Sequence, residues 1–400
     1  MKDWRIIHNG LNLYFTMIRV GFLIRSTNWM GGFNYMNNLL YAIHSLDSRV
    51  VEPVVFMPKG VNKEIKEGFS RYAQVIEVSF LKSGSISGFV WNRLKTITQS
   101  DFIIELYVRK YKINVFSHSG LVGLKTVKTI NWIPDFQFLQ LPEMFQKEEL
   151  NFRNKNYGLW QKKSDCILLS SYDALKDYRQ FTKGESPKAK VLQFVSQPGK
   201  FKKCTEDEIR IIKEKYNITG DFFFIPNQFW KHKNHLIVFK ALNLLKDRGH
   251  NITLVCTGKL EDYRNTGHIN LIKEYIADTK IHVILLGLID YSDLLVLMKY
   301  SLAVINPSFF EGWSSSVEEC KSLGKNMILS DIAVHKEQNP ANSFYFDPNN
   351  ADELAAILLN HILNKERLMK LNNELDFDND IKNRTLNFAL NYQEIVKELV

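Results

Sequence analysis

Short β-rich runs alternate with segments of helical period along nearly the whole chain. This alternation is the pattern of stacked βα units around a mostly parallel sheet, so it leaves few folds open. The first series of runs falls at 18–24, 51–57, 75–78, 115–117, 126–130 and 166–170, and a second begins afresh at 222–226, 252–256, 282–286, 302–305 and 327–329. Between them, 193–203 is polar and basic, with a Pro198-Gly199 turn signal, and is the best linker candidate. The expected fold class is α/β, with two αβα domains at 17–196 and 197–380 and an extension at 1–16. Over 381–400, Leu386, Phe388, Tyr392, Ile395, Val396 and Leu399 recur at broadly helical spacing, which predicts a terminal amphipathic helix. A chain of 400 residues suits two domains of ordinary size, about 100 to 200 residues each.

Composition excludes whole classes of protein. With 45% hydrophobic and 24% charged residues and only 10 prolines, the chain is neither disordered nor collagenous. Its formal charge of +9 suggests an anionic partner. Residues 1–200 carry 28 basic against 16 acidic groups and the remainder 24 against 27, so any basic surface belongs to the first half. Cys166, Cys204, Cys256 and Cys320 show no metal spacing and read as reduced thiols. No apolar run approaches the roughly 18 residues that span a bilayer, and the start lacks the pattern of a secretory signal, so a cytoplasmic protein is expected.

In open parallel sheets, ligands bind outside the carboxyl ends of the strands, which weights the segments just after each one. Gly31-Gly32 follows the first run and enters a helical pattern over 34–46. There the glycines either let backbone N–H groups approach an anion or simply make a tight turn. The segment 306–320 offers Glu311 on a loop and Glu318 and Glu319 at a helix start, with Ser314, Ser315 and Ser316 between them. That layout suits a ligand with several hydroxyls and a phosphate, because carboxylates accept from hydroxyls and the helix start receives negative charge. Capping and dipole complementation explain Glu318 equally well, but not the bare Glu311-Gly312. Straight after the run at 222–226, Gln228, Lys231 and Lys233 form either a solvated basic loop or a diphosphate site. Their predicted place on the same edge as the serine helix favours phosphate.

In order and spacing these segments resemble the retaining glycosyltransferases of sequence family four, whose GT-B architecture sets two Rossmann-like domains across a cleft. The resemblance covers nearly the whole chain from about Met17 and is most specific over 222–348. It implies that Glu311 touches the donor sugar, that Glu319 takes the nucleotide ribose, and that the amides of Ser315, Ser316 and Val317 take the diphosphate. The family's Arg-x4-Lys pair falls on Gln228 and Lys233, which leaves the charge role mainly to Lys233. Gly31 and Gly32 would lie against the donor phosphates and the acceptor, and Gly287-Leu288-Ile289 resembles the segment whose backbone reads the base. Trp132 to Phe138 resembles an active-site loop in which relatives often carry His where Phe138 stands, so Asp135 is the first-half carboxylate of interest. The terminal helix would cross back to the first domain. No metal or other cofactor is expected, since Lys233 and helix dipoles would carry the charge. Asp376, Asp378 and Asp380 imitate a metal motif but read as a solvated acidic linker.

The resemblance also implies a co-substrate and partners: a nucleotide-sugar donor, a glycan or lipid-linked acceptor, and an anionic membrane beneath the first domain on its cytoplasmic face. Lys82, Phe89, Trp91, Arg93 and Lys95 form an aromatic and basic stretch suited to such an interface, or else a core helix with a charged outer side. His44, His118 and His335 read as structural. An epimerase of the same architecture and a basic nucleic-acid-binding protein are the competing readings. Against the latter, no single-strand platform, helix-turn-helix or zinc spacing is present.

Overall fold

The computed structural model describes residues 17–24, 30–82, 84–98, 101–184, 188–197, 204–341, 343–368 and 377–400. The expected 1–16 extension, Pro198-Gly199 and Asp376 lie outside the described residues, as does the side chain of Lys95. Two wholly parallel sheets form the α/β fold. The first runs β3-β2-β1-β4-β5-β6-β7, from β1 (Ile18–Leu23), β2 (Val51–Pro58), β3 (Gln74–Val78), β4 (Val115–Ser117), β5 (Lys128–Ile133), β6 (Cys166–Leu169) and β7 (Ala189–Val191). The second runs β10-β9-β8-β11-β12-β13, from β8 (Phe222–Ile225), β9 (Thr253–Thr257), β10 (Val283–Gly287), β11 (Val304–Asn306), β12 (Met327–Ser330) and β13 (Ser343–Phe346).

Central strands such as β8, Phe-Phe-Phe-Ile, are buried at every position, as befits strands covered by helices on both faces. On one face of the first sheet, Tyr35, Leu39, Ala42 and Ile43 of helix Met30–His44 pack on Val20, Phe22, Val51 and Val55. Beside them, Phe388, Ala389, Tyr392, Ile395 and Val396 of the terminal helix Phe377–Lys397 complete the same core. The chain's end therefore packs on its beginning.

Several boundaries differ from expectation for identifiable reasons. The first helix begins at Met30, so Gly31 and Gly32 form its first turn rather than a turn ahead of it. β5 runs to Ile133 through Asn131, a buried polar residue that interrupts the apolar run. Its side-chain amide donates to Leu121 O at 2.7 Å and to Ser164 Oγ at 2.9 Å. Trp132 therefore belongs to a strand and not to the loop that follows. The edge strands β7 and β13 carry no long apolar run and are absent from the sequence reading. Residues 193–197 are no solvated linker, because Phe194 and Val195 are buried in the first core. The terminal helix starts at Phe377, so Asp378 and Asp380 lie in its first turn rather than in a linker, and Asp380 pairs with Arg384 at 2.6 Å. Trp91 is core: its ring packs on Phe80, and its indole N–H donates to Asp101 at 3.2 Å. All four cysteines are free.

Candidate active site

The strand order of the second sheet reverses between β8 and β11, and such a switch point opens a crevice at the strands' carboxyl ends. Segments about 80 residues apart in sequence meet there. Lys233 ends the short turn Lys231–Lys233 after β8, and its ammonium donates to Glu311 Oε1 at 2.6 Å. Ser308 Oγ stands 2.7 Å from the same oxygen and 2.7 Å from Asn306 Oδ1. Burial alone would raise the Glu311 carboxyl, but the Lys233 ammonium and the Ser308 hydroxyl outweigh it and hold the group below the usual carboxylate range.

Three residues on, Ser314 is the N-cap of helix Ser315–Leu323, whose first N–H groups, on Ser315, Ser316 and Val317, have no acceptor within the helix. A buried polar net fixes this helix start to both strands. Asn227 Nδ2 donates to Asn306 Oδ1 at 3.1 Å, and Asn306 Nδ2 donates to Ser314 Oγ at 2.8 Å, with Ser316 Oγ 3.1 Å further on. The helix dipole is thereby aimed at the crevice by groups that are themselves satisfied.

Glu319 sits one turn deeper, and Tyr291 O–H donates to its Oε1 at 2.8 Å. Burial without a cation pushes its carboxyl up to about 7. Glu318 points the other way. It is buried against Arg384 of the terminal helix (2.8 Å), the Gln338 amide (3.0 Å) and Lys321 (3.4 Å), so its role is structural rather than dipole capping at a free surface.

The first domain meets this group at the Glu311–Gly312 loop. A Cβ built on Gly312 would overlap the Pro134 carbonyl oxygen and lie 2.8 Å from Asp135 Cβ. Asp135 therefore abuts the Glu311–Gly312 loop, held by Gln137 N–H at 3.1 Å and by Arg153 at 3.6 Å. Next along, the Trp313 indole donates to Phe194 O across the seam at 2.9 Å.

Other candidate residues stand apart. Gln228 is exposed and its carbonyl accepts from Lys259 N–H at 2.7 Å, while Lys231 is exposed too. Gly287 ends β10 with φ +67° and accepts from Gly258 N–H at 2.8 Å; Leu288 beyond it is exposed. No described hydrogen bond joins Gly31 or Gly32 to the Lys233–Glu311 group. Phe138 is buried in an apolar cluster with Phe136 and Tyr157. Among the histidines, His118 is bonded at both ring nitrogens, to Tyr35 (2.8 Å) and Ser117 (2.7 Å), and burial lowers it to about 3. His335 is buried with Nδ1 2.9 Å from Ser330 O. Sequence reasoning missed Tyr291, Arg264 and Arg384, which no local motif marks. Among the described residues no group of three or more His, Cys, Asp or Glu is arranged to hold a metal ion.

Comparison with known proteins places the fold. Residues 208–375 match the family described as glycosyl transferases group 1. A glycosyltransferase of Rickettsia africae is 18% identical, with a TM-score of 0.66 over 96% of this chain and 98% of its own. Anabaena HepE in complex with UDP and glucose is 14% identical, with a TM-score of 0.70 over 96% and 100%. Sucrose-phosphate synthase of Thermosynechococcus elongatus is 12% identical, with a TM-score of 0.62 over 96% and 94%. No curated protein matches the chain by sequence. The shared fold is GT-B.

Proposed function

We propose that the chain, whose residues 208–375 match the group 1 glycosyltransferases, moves a hexosyl unit from a nucleotide sugar to a glycan or lipid-linked acceptor with retention at the anomeric carbon. One observation carries the reading: the Lys233–Glu311 pair faces an open helix start at the switch point of the second sheet. A departing nucleoside diphosphate develops negative charge, and Lys233 with the N–H groups of Ser315, Ser316 and Val317 supplies fixed positive counterparts. Glu311, kept ionised beside Lys233, accepts from hydroxyls of the donor sugar. Glu319 accepts from the ribose. Asp135 closes the sugar site from the first domain. A glycosidase-like double displacement does not fit, because Glu311 is already neutralised by a cation and serves binding. UDP is the first nucleotide to test, since HepE is recorded with UDP-glucose.

The test is nucleotide release from UDP-, GDP- and ADP-sugars. Lys233→Ala should lower kcat by about 10²-fold or more, the usual cost of one such donor. Equal rates in wild type and variant would sink the assignment.

We place the enzyme on the cytoplasmic face of a membrane, docked through the first domain. Ile86, Phe89 and Val90 stand 85%, 72% and 44% exposed on helix Ile86–Thr98, an apolar patch beside the exposed cations Lys82 and Arg93. No described helix is long and apolar enough to cross a membrane. The protein should float with anionic liposomes and lose that property with Phe89→Asp, and equal flotation with neutral liposomes would contradict the electrostatic part.

A further inference from the structure

Resting on that reading, we propose that Arg264 binds an anionic group of the acceptor, a carboxylate or a phosphate, so that the sugar accepted is an acidic or phosphorylated one. Arg264 lies in the segment after β9. The guanidinium centre is 4.3 Å from the Trp230 ring of its own domain and 4.6 Å from the Phe145 ring of the other. Its side chain is 1% exposed. Nε and Nη1 are both buried without a hydrogen-bond partner among the described residues.

The adjacent carboxylate gives its buried nitrogens no hydrogen bond. Asp262 accepts from Lys231 N–H at 2.9 Å, Arg264 N–H at 3.0 Å and the Asn265 amide at 3.1 Å, while Arg264 Nε stays 3.9 Å from its Oδ1. Asp262 thus shapes the loop and meets the guanidinium only as a long ion pair, leaving Nε and Nη1 without a hydrogen bond. A guanidinium keeps its charge at every accessible pH, so burial cannot be relieved by losing a proton. Three aromatic rings, Trp230, Phe145 and Tyr263, offset part of the desolvation but accept no hydrogen bond in the guanidinium plane. An oxyanion of the substrate is the partner this chemistry calls for.

Position separates acceptor from donor. Phe145 carries a second guanidinium, Arg153, at 5.0 Å, and that one is satisfied by Glu149 at 3.0 Å and approaches Asp135 at 3.6 Å. Arg264, on the second domain, is therefore one aromatic ring away from Arg153, which approaches Asp135 on the first. The donor's phosphates already have Lys233 and the helix start.

The experiment titrates glucose, glucuronate, glucose 6-phosphate and farnesyl diphosphate into the UDP-saturated full chain, so that the diphosphate site is filled beforehand. At least one anionic probe should bind wild type tenfold or more tightly than glucose. That margin should vanish in Arg264→Gln and survive in part in Arg264→Lys. Which probe keeps the margin distinguishes a uronic acid, a sugar phosphate and a prenyl diphosphate. A margin that persists in Arg264→Gln, or none in wild type, overturns the proposal. So does loss of UDP binding in Arg264→Gln, which would assign the residue to the donor or to folding. Failure of wild type to bind any nucleotide would instead strike the glycosyltransferase reading, and the same titration without UDP would still read Arg264.

Discussion

Glu311 and Glu319 are buried to nearly the same depth, 8% and 7% exposed, yet their surroundings leave them in opposite electrical states. Lys233 holds the first ionised. The second has only neutral hydroxyls, those of Tyr291 and Ser196, and keeps its proton up to about pH 7. The native Glu319 carboxyl thus binds a proton that the unfolded chain releases at its ordinary pKa, so stability falls as pH rises from about 4.5 through 7. The loss is on the order of 3 kcal/mol. Glu319→Gln, permanently neutral, should melt above wild type at pH 8 and with it at pH 5. A ribose hydroxyl donating to the carboxylate favours its ionised form. Nucleotide binding should accordingly release a proton near pH 7, visible by calorimetry in buffers of different ionisation enthalpy.

At the scale of elements, the loop after β11 is held close to the first domain by the absence of a side chain at Gly312, where a methyl group would overlap Pro134. Gly312→Ala should push the two walls apart, keep UDP affinity, and lower kcat/KM by about tenfold or more, because sub-ångström misplacement at a reacting centre is expensive. The elements themselves were largely legible in the amino-acid order. Buried parallel strands such as β8 are continuous apolar runs, and turn residues flank them. The candidate loop was legible through Glu311, whose position on a loop no capping rule accounts for. What escaped was set by contacts distant in sequence. Asn131 hides inside a strand because its partners, Leu121 and Ser164, are remote. Glu318 looks like a dipole residue until Arg384, 66 positions on, occupies it. The unsatisfied state of Arg264 depends on a ring from the other domain.

On the scale of the whole molecule, the terminal helix joins the two domains. Its apolar face completes the first core, while its Arg384 answers Glu318 of the second domain. Nearby, the Glu337 carboxylate accepts from the Tyr172 and Asp173 N–H groups at the start of helix Tyr172–Phe181, a further tie across the seam. A chain ended at residue 376 should leave Phe22 without Tyr392 and Glu318 buried without its arginine, a combination costing several kcal/mol. Limited proteolysis should then remove the first half rapidly and spare a fragment near 204–368; equal resistance of both halves would contradict this. The arrangement also governs how the protein is made. A ribosome delivers the helix that seals the first core only after the whole second domain, so that domain has the opportunity to form while the first still waits, open on one side, for its last piece. The half made first is thus the half whose core closes last.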